Sequence, residues 1–264
     1  MGRSIAVVSG KGGVGKTTIV CGLGMAFAKK GFSVCVIDFD VGLNNLDVLL
    51  GMENRIVYDY ADFLNGKCRL SQAIVRHHSM ENLYVLVSNE NINFDNHKEK
   101  TIKTLEKLSN IFDYVLVDSP AGVGAGFKWA VDSCGECIVV VSPHITSIRD
   151  AGSVLRVLKG GEQNILGVVV NRARGDLVVR KKMLSHVQIS QLLNTELLGV
   201  VPESDIVNIY TSFQFDKIIS CSGALEPFYI LVDNIRYERK NIYDYESKYK
   251  GVLGVIRRNI RKGV

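Results

Sequence analysis

The sequence predicts an α/β fold: a doubly wound, mostly parallel sheet flanked by helices, followed by a C-terminal amphipathic helix. Three observations carry this expectation. Short apolar runs alternate with longer stretches of helical periodicity along the chain. The runs are continuously apolar rather than alternating in polarity, as strands covered on both faces are. A glycine-rich turn follows the first run directly and opens the first helical stretch, at the sheet edge where such folds bind ligands.

In order, strands are expected at Ser4–Val8, Val34–Phe39, Leu83–Val87, Tyr114–Val117, Ile138–Val141, Ile165–Val170 and Leu197–Val201. Helices are expected at Thr17–Lys30, Lys98–Asn110, Ile148–Lys159, Lys182–Leu193 and Leu225–Glu238. Strand–helix alternation of this kind implies right-handed crossovers. No repeat, low-complexity tract or domain-scale linker interrupts the pattern. The expected organisation is one domain over residues 1–235, a charged linker over 236–248 and an amphipathic helix over 249–264.

Hydrophobic residues make up 47% and charged residues 22% of the 264, an ordinary globular balance that needs no covalent staples. The N-terminal apolar stretch stops at Ser9-Gly10-Lys11, too short for a secretory core, and no run approaches the length of a membrane span. The six cysteines are therefore expected to be reduced thiols, mostly small core residues. Cys134 and Cys137 form the one CxxC, readable as a redox pair or half a metal site, but Cys137 leads straight into an apolar strand. The net charge of +5 is unevenly placed. From Arg236 onward, nine basic residues face three acidic ones, so the tail is strongly basic and the body nearly neutral. A local basic tail points to an anionic partner for that segment.

The strongest motif is Gly10, Lys11, Gly12, Gly13, Val14, Gly15, Lys16, Thr17 and Thr18, which fits the P-loop pattern in its strand–loop–helix setting. Glycines let backbone N–H groups turn inward around phosphate oxygens, and the helix start adds its positive end. Lys16 is expected to reach the β- and γ-phosphates, the Thr17 hydroxyl to ligate Mg²⁺, and Thr18 to extend the phosphate contacts. Two further strands end in carboxylates, Asp38 with Asp40 and then Asp118. Strand alternation places Asp38 and Asp40 on one side, and buried carboxylates at such an edge need a cation. No histidine is required for phosphoryl transfer, and His77, His78, His97, His144 and His186 read as surface or loop residues.

A second lysine at Lys11, together with the runs 38–47, 55–60, 118–122 and 147–151, resembles the MinD branch of the deviant Walker A ATPases, the MinD/ParA family. The resemblance spans essentially the whole chain. It implies that Lys11 reaches across a dimer to the partner's nucleotide, much as an arginine finger does. It also implies that Asp40 positions the attacking water, and that Asp38 and Asp118 hold the Mg²⁺ shell. Gly122, Gly124 and Gly126 would give the segment after Asp118 its freedom. Asn171, Arg172 and Pro202 match positions that flank the adenine, although Asn171 alone also reads as a strand-end cap. The absence of an Asn-Lys-x-Asp motif favours ATP over GTP. Asn44 stands where this branch commonly has Arg, a departure from its pattern.

The tail supports the same branch independently. On a helical wheel Tyr249, Val252, Leu253, Val255, Ile256 and Ile260 fall in one arc of about 160°, with five basic residues opposite. That is the pattern of a helix lying in a membrane interface, or of a helix docked on its own core. The implied function is an ATP hydrolase that dimerises with ATP and binds anionic lipid on the cytoplasmic face of the cell membrane. The resemblance adds a MinC-like division inhibitor as cargo and a MinE-like or other activator. A partition ATPase that touches DNA through its basic tail is the alternative, and apolar residues on one tail face favour lipid over specific nucleic acid. A reductase built on Cys134 and Cys137 is a third reading.

Overall fold

The computed structural model describes residues 2–40, 46–88, 97–161, 163–204, 223–251, 254–255 and 257. Its strands are β1 (Arg3–Val8), β2 (Val34–Asp38), β3 (Val75–Arg76), β4 (Leu83–Leu86), β5 (Tyr114–Asp118), β6 (Glu136–Val141), β7 (Asn164–Ala173) and β8 (Leu197–Pro202). Helices α1 (Lys16–Lys29), α2 (Leu46–Leu49), α3 (Tyr60–Leu64), α4 (Leu70–Ala73) and α5 (Lys98–Ile111) occupy the first half. In the second half come α6 (Ala125–Asp132), α7 (Ile145–Lys159), α8 (Gly175–Val179), α9 (His186–Leu193) and α10 (Glu226–Tyr237). The strands form one sheet in the order β3-β4-β2-β5-β1-β6-β7-β8. All neighbours are parallel except the short edge pair β3 and β4.

Both faces of the sheet are covered, which is why its strands read as unbroken apolar runs. Along β1, Ile5 and Val7 pack with α1 and α10, while Ala6 and Val8 pack with α6 and α7 on the other side. Phe228, Leu231, Val232 and Ile235 of α10 complete the first layer. Leu105 and Leu108 of α5, with Ile148, Val154 and Leu158 of α7, complete the second. Cys21 of α1, Cys35 of β2 and the CxxC thiols Cys134 and Cys137 lie buried among these side chains, as small core residues do. Burial pushes the Cys137 thiol up to about 12, away from the thiolate that redox chemistry uses.

The structure departs from the expected elements where short helices carry little periodicity. Between β2 and β4 sit α2, α3 and α4, of which α3 is fixed by a capping box between Asp59 and Asp62. Helix α9 starts at His186 rather than Lys182, because Ser185 caps it by accepting from the Gln188 N–H. His77 is buried in its loop rather than at the surface, stacked on His78 at 4.5 Å.

Of residues 236–248, expected as a charged linker, 236 and 237 complete α10 and the rest, with Tyr249, are strapped onto the body. Buried Asn234 of α10 donates to the carbonyls of Leu198 and Asn241 at 2.8 and 2.7 Å, and accepts from the Asn241 N–H. Tyr245 is buried with its hydroxyl 2.9 Å from His186 Nδ1. Its carbonyl fills the space that a Cβ on Gly175 would need. Tyr249, placed on the tail's apolar arc by the wheel, is buried at 6% exposure and so belongs to this anchor. The charges that suggested a free linker point outward around buried rings. Of the remaining expected membrane residues, Val255 is 45% exposed; Val252, Leu253, Ile256 and Ile260 lie outside the described residues, as does Asn44.

Candidate functional site

The site lies where β1, β2 and β5 end at the carboxyl edge of the sheet. The chain leaves β1 at Val8, winds through residues 9–15 and enters α1 at Lys16. Gly13 and Gly15 take φ values of 75° and 90°, in the left-handed region that glycine tolerates without strain. Gly15 is doubly constrained, since the Asn171 amide sits where its Cβ would be. That amide donates to the Val14 carbonyl at 2.8 Å, so β7 braces the loop directly. The sequence left Asn171 as an adenine contact or a strand-end cap; the structure adds this bracing role.

Two more bonds tie the loop to its neighbours. The Ser9 hydroxyl donates to the Lys11 carbonyl at 2.9 Å, and the Gly122 N–H donates to the Ser9 carbonyl at 2.9 Å. Ser9 was not singled out from the sequence, where only its position beside the first loop glycine marks it. The N-cap of α1 supplies no side-chain acceptor, which leaves the first-turn N–H groups to a ligand. Lys16 is buried at this helix start, whereas Lys11 is exposed and extends to the Thr146 hydroxyl of α7 at 3.4 Å.

The structure brings Asp38 and Asp118 together, and it places Asp40 by a turn rather than by the expected strand alternation. Asp38 and Asp118 are paired residues at the ends of adjacent strands, both on the face covered by α1. Strand β2 ends at Asp38, so alternation does not place Asp40. Instead the chain turns, and the Asp40 N–H donates back to Asp38 Oδ1 at 2.8 Å. Asp40 remains near enough to raise both neighbouring carboxyls. Burial, then the charge of Asp118, pushes Asp38 up to about 8. Burial pushes Asp118 to about 7, against the Thr17 hydroxyl and the Lys16 cation, which pull it down.

Asp118 is fully buried, and the Thr17 hydroxyl bears on it only from outside normal hydrogen-bond geometry, which leaves neither oxygen with a well-formed bond among the described residues. An orphaned buried carboxylate beside a second one is costly unless a cation joins them. Oxygen donors from Thr17, Asp38 and Asp118 suit a hard divalent ion such as Mg²⁺.

Beyond Asp118, the three glycines divide their roles. Gly122 takes φ 89° in the loop, and Gly124 caps α6. Gly126 lies inside α6, where a Cβ would press on the Pro120 ring, so close packing rather than freedom explains it. Arg172 is exposed with φ 58° at the end of β7, and Pro202 closes β8 beside Ala173.

Residues 5–214 match the CobQ/CobB/MinD/ParA nucleotide binding domain family. The septum site-determining protein MinD of Thermotoga maritima is 41% identical over 262 residues, 97% of each chain. Among solved structures, MinD in the MinC:MinD complex of Aquifex aeolicus superposes with a TM-score of 0.84 at 35% identity, covering 93% of this chain and 100% of that one. MinD of Pyrococcus horikoshii, solved with Mg-ADP, gives 0.78 at 28% identity over 89% and 96% of the two chains. A glycine loop braced by Asn171, two buried carboxylates aimed at it and likeness along nearly the full length agree: the chain is an ATPase of the MinD/ParA nucleotide-binding family and belongs to its MinD branch.

Proposed function

We propose that this chain binds ATP with Mg²⁺, dimerises around the nucleotide, and in that state holds the cytoplasmic face of the cell membrane through its C-terminal helix. There it recruits a MinC-like division inhibitor to place the septum, and a MinE-like or other activator triggers hydrolysis and release. The observation that carries the reading is the buried pair Asp38 and Asp118 below the glycine loop, with no well-formed hydrogen bond to the Asp118 oxygens among the described residues.

Thr17, Asp38 and Asp118 would hold the Mg²⁺, which when bound neutralises charge between the β- and γ-phosphates. The loop N–H groups and Lys16 bind the phosphates, and Asp40 orients the attacking water. Lys11 reaches the second copy's nucleotide, consistent with its outward course toward Thr146. Asn171, Arg172 and Pro202 border the adenine. Exposed Val57, Val123 and Ile145 come from segments that follow β2, β5 and β6 at this same edge, and they support a face covered by the second copy.

The membrane half rests on the tail. A segment of about sixteen residues is marginally helical alone in water. Each Lys or Arg near anionic lipid gains about 1 kcal/mol, so one tail binds weakly and reversibly. Two tails held in a dimer gain about 10²–10⁴ in avidity. The strap supports the coupling, because Tyr245 and Tyr249 root the tail on α8, which leaves the carboxyl end of β7 beside the nucleotide edge. Liposome sedimentation tests this with ATP, with ADP, and with a chain ending at Lys250, which keeps the Tyr249 anchor. ATP-dependent pelleting of the full chain alone is expected. Equal pelleting in all three conditions would refute the switch.

A further inference from the structure

Away from the nucleotide edge, α3, α4 and α5 enclose a groove of about 1220 Å³. Its apolar lining includes half-buried Phe63 and Ile74 and buried Leu70. Its lining carries five cations, Arg69, Lys98, Lys100, Lys103 and Lys107, against the single carboxylate of Glu99. Of the five, Lys100 serves the fold: it donates to the carbonyls of Phe63 and Leu64 at 2.9 Å each, closing the end of α3. Lys98 sits over the Trp129 ring of α6 at 5.1 Å, and Arg69, Lys103 and Lys107 form a rim. Lys103 reaches Glu99 at 3.7 Å in a pair that is almost wholly solvated, a contact of little energetic weight. Lys107 is exposed, with no ion-pair partner among the described residues. Nothing in the nucleotide reading uses this face.

We propose that this groove docks an amphipathic helix of a partner protein, apolar along one stripe and acidic on its margins. Charge decides among possible occupants. The chain's own tail is basic and would be repelled by the rim, and a second copy would bring the same rim of lysines against it. Carboxylates flanking a leucine-type stripe satisfy both the rim and the apolar lining at once. The size agrees, since α5 has 14 residues and therefore runs for about 20 Å, enough to lie along three to four turns of a docked helix.

Cys68 lines the groove and is partly exposed, whereas Cys21, Cys35, Cys134 and Cys137 are buried; Cys221 lies outside the described residues, so occupancy is read from alkylation of the Cys68 peptide itself. The experiment uses the full chain with ADP and a fluorescein-labelled sixteen-residue peptide, leucines spaced at three and four and glutamates on both flanks. Saturable binding by anisotropy is expected, together with slowed alkylation of Cys68. Binding should weaken at least about tenfold in the K103E/K107E variant, and that variant should instead take the lysine-flanked version of the peptide. Equal affinity of the glutamate peptide for both proteins would place it on the basic tail and overturn the proposal. So would absence of saturable binding, or unchanged Cys68 alkylation at saturation. A matching tenfold loss in pelleting with phosphatidylglycerol vesicles would assign the face to lipid and overturn it as well.

Discussion

Asp118→Asn should make the nucleotide-free protein more stable while destroying its use of magnesium. Asp118 is fully buried, and its carboxyl rises from the ordinary 3.8 to about 7. The folded chain therefore holds a proton that the unfolded chain has already lost, and stability falls as pH rises from about 4 to about 7. Above that window the ionised group costs its full penalty. A rise of about three pH units, at about 1.4 kcal/mol each, sets that penalty at about 4 kcal/mol as an upper limit. Asparagine removes the charge, and its amide can donate to Asp38. At pH 8 and without magnesium the variant should melt on the order of 5–10 °C higher, given about 2–4 °C per kcal/mol for a domain of this size. At pH 5 the gain should shrink to about a third, because the native carboxyl is protonated there. Scanning calorimetry at both pH values in EDTA, then with Mg-ATP, measures this. A variant that melts at or below the wild type at pH 8, or gains equally at both pH values, would refute the argument from a buried carboxylate set beside a second one.

Three further outcomes follow from the same geometry. Lys11→Ala should keep each subunit's affinity for ATP within a few-fold, because Lys11 turns away from its own loop. It should lower steady-state hydrolysis by about 10³-fold, as loss of a charge supplied in trans does. Asp40→Ala should bind ATP and sediment with liposomes, yet hydrolyse about 10²–10³ times more slowly; it should remain on the vesicles after wild type has been released. Gly15→Ala forces a side chain into φ 90° and against the Asn171 amide, at a backbone cost of about 1–3 kcal/mol. Isothermal titration with ATP should show binding lost while the far-UV circular dichroism is kept.

How far the sequence could be read depended on how local each signal was. The seven parallel strands were legible because burial on both faces leaves unbroken apolar runs, and the glycine loop because its chemistry fits in nine consecutive residues. The edge strand Val75–Arg76 was not, being two residues held only by β4. Helix α6 was hidden because three glycines before and within it suggest freedom, whereas Gly126 is there to clear Pro120. The helices between β2 and β4 are four to five residues long, too short for periodicity, although Asp59 and Asp62 carried a capping signature. At the site, the two strand-end carboxylates could be placed from the strands that carry them. The turn that brings Asp40 back onto Asp38 could not, since it depends on one backbone bond. Long-range contacts were least legible of all. Asn171 bracing Val14 spans 157 positions, and the strap of Tyr245 on His186 spans 59.

Sedimentation velocity on the full chain with ATP and magnesium, run beside Lys11→Ala and beside ADP, interrogates the clamp at the heart of this account. Wild type should sediment as a dimer with ATP and as a monomer with ADP, and Lys11→Ala should favour the monomer even with ATP. A wild-type chain that stays monomeric with saturating Mg-ATP at high concentration would contradict the account.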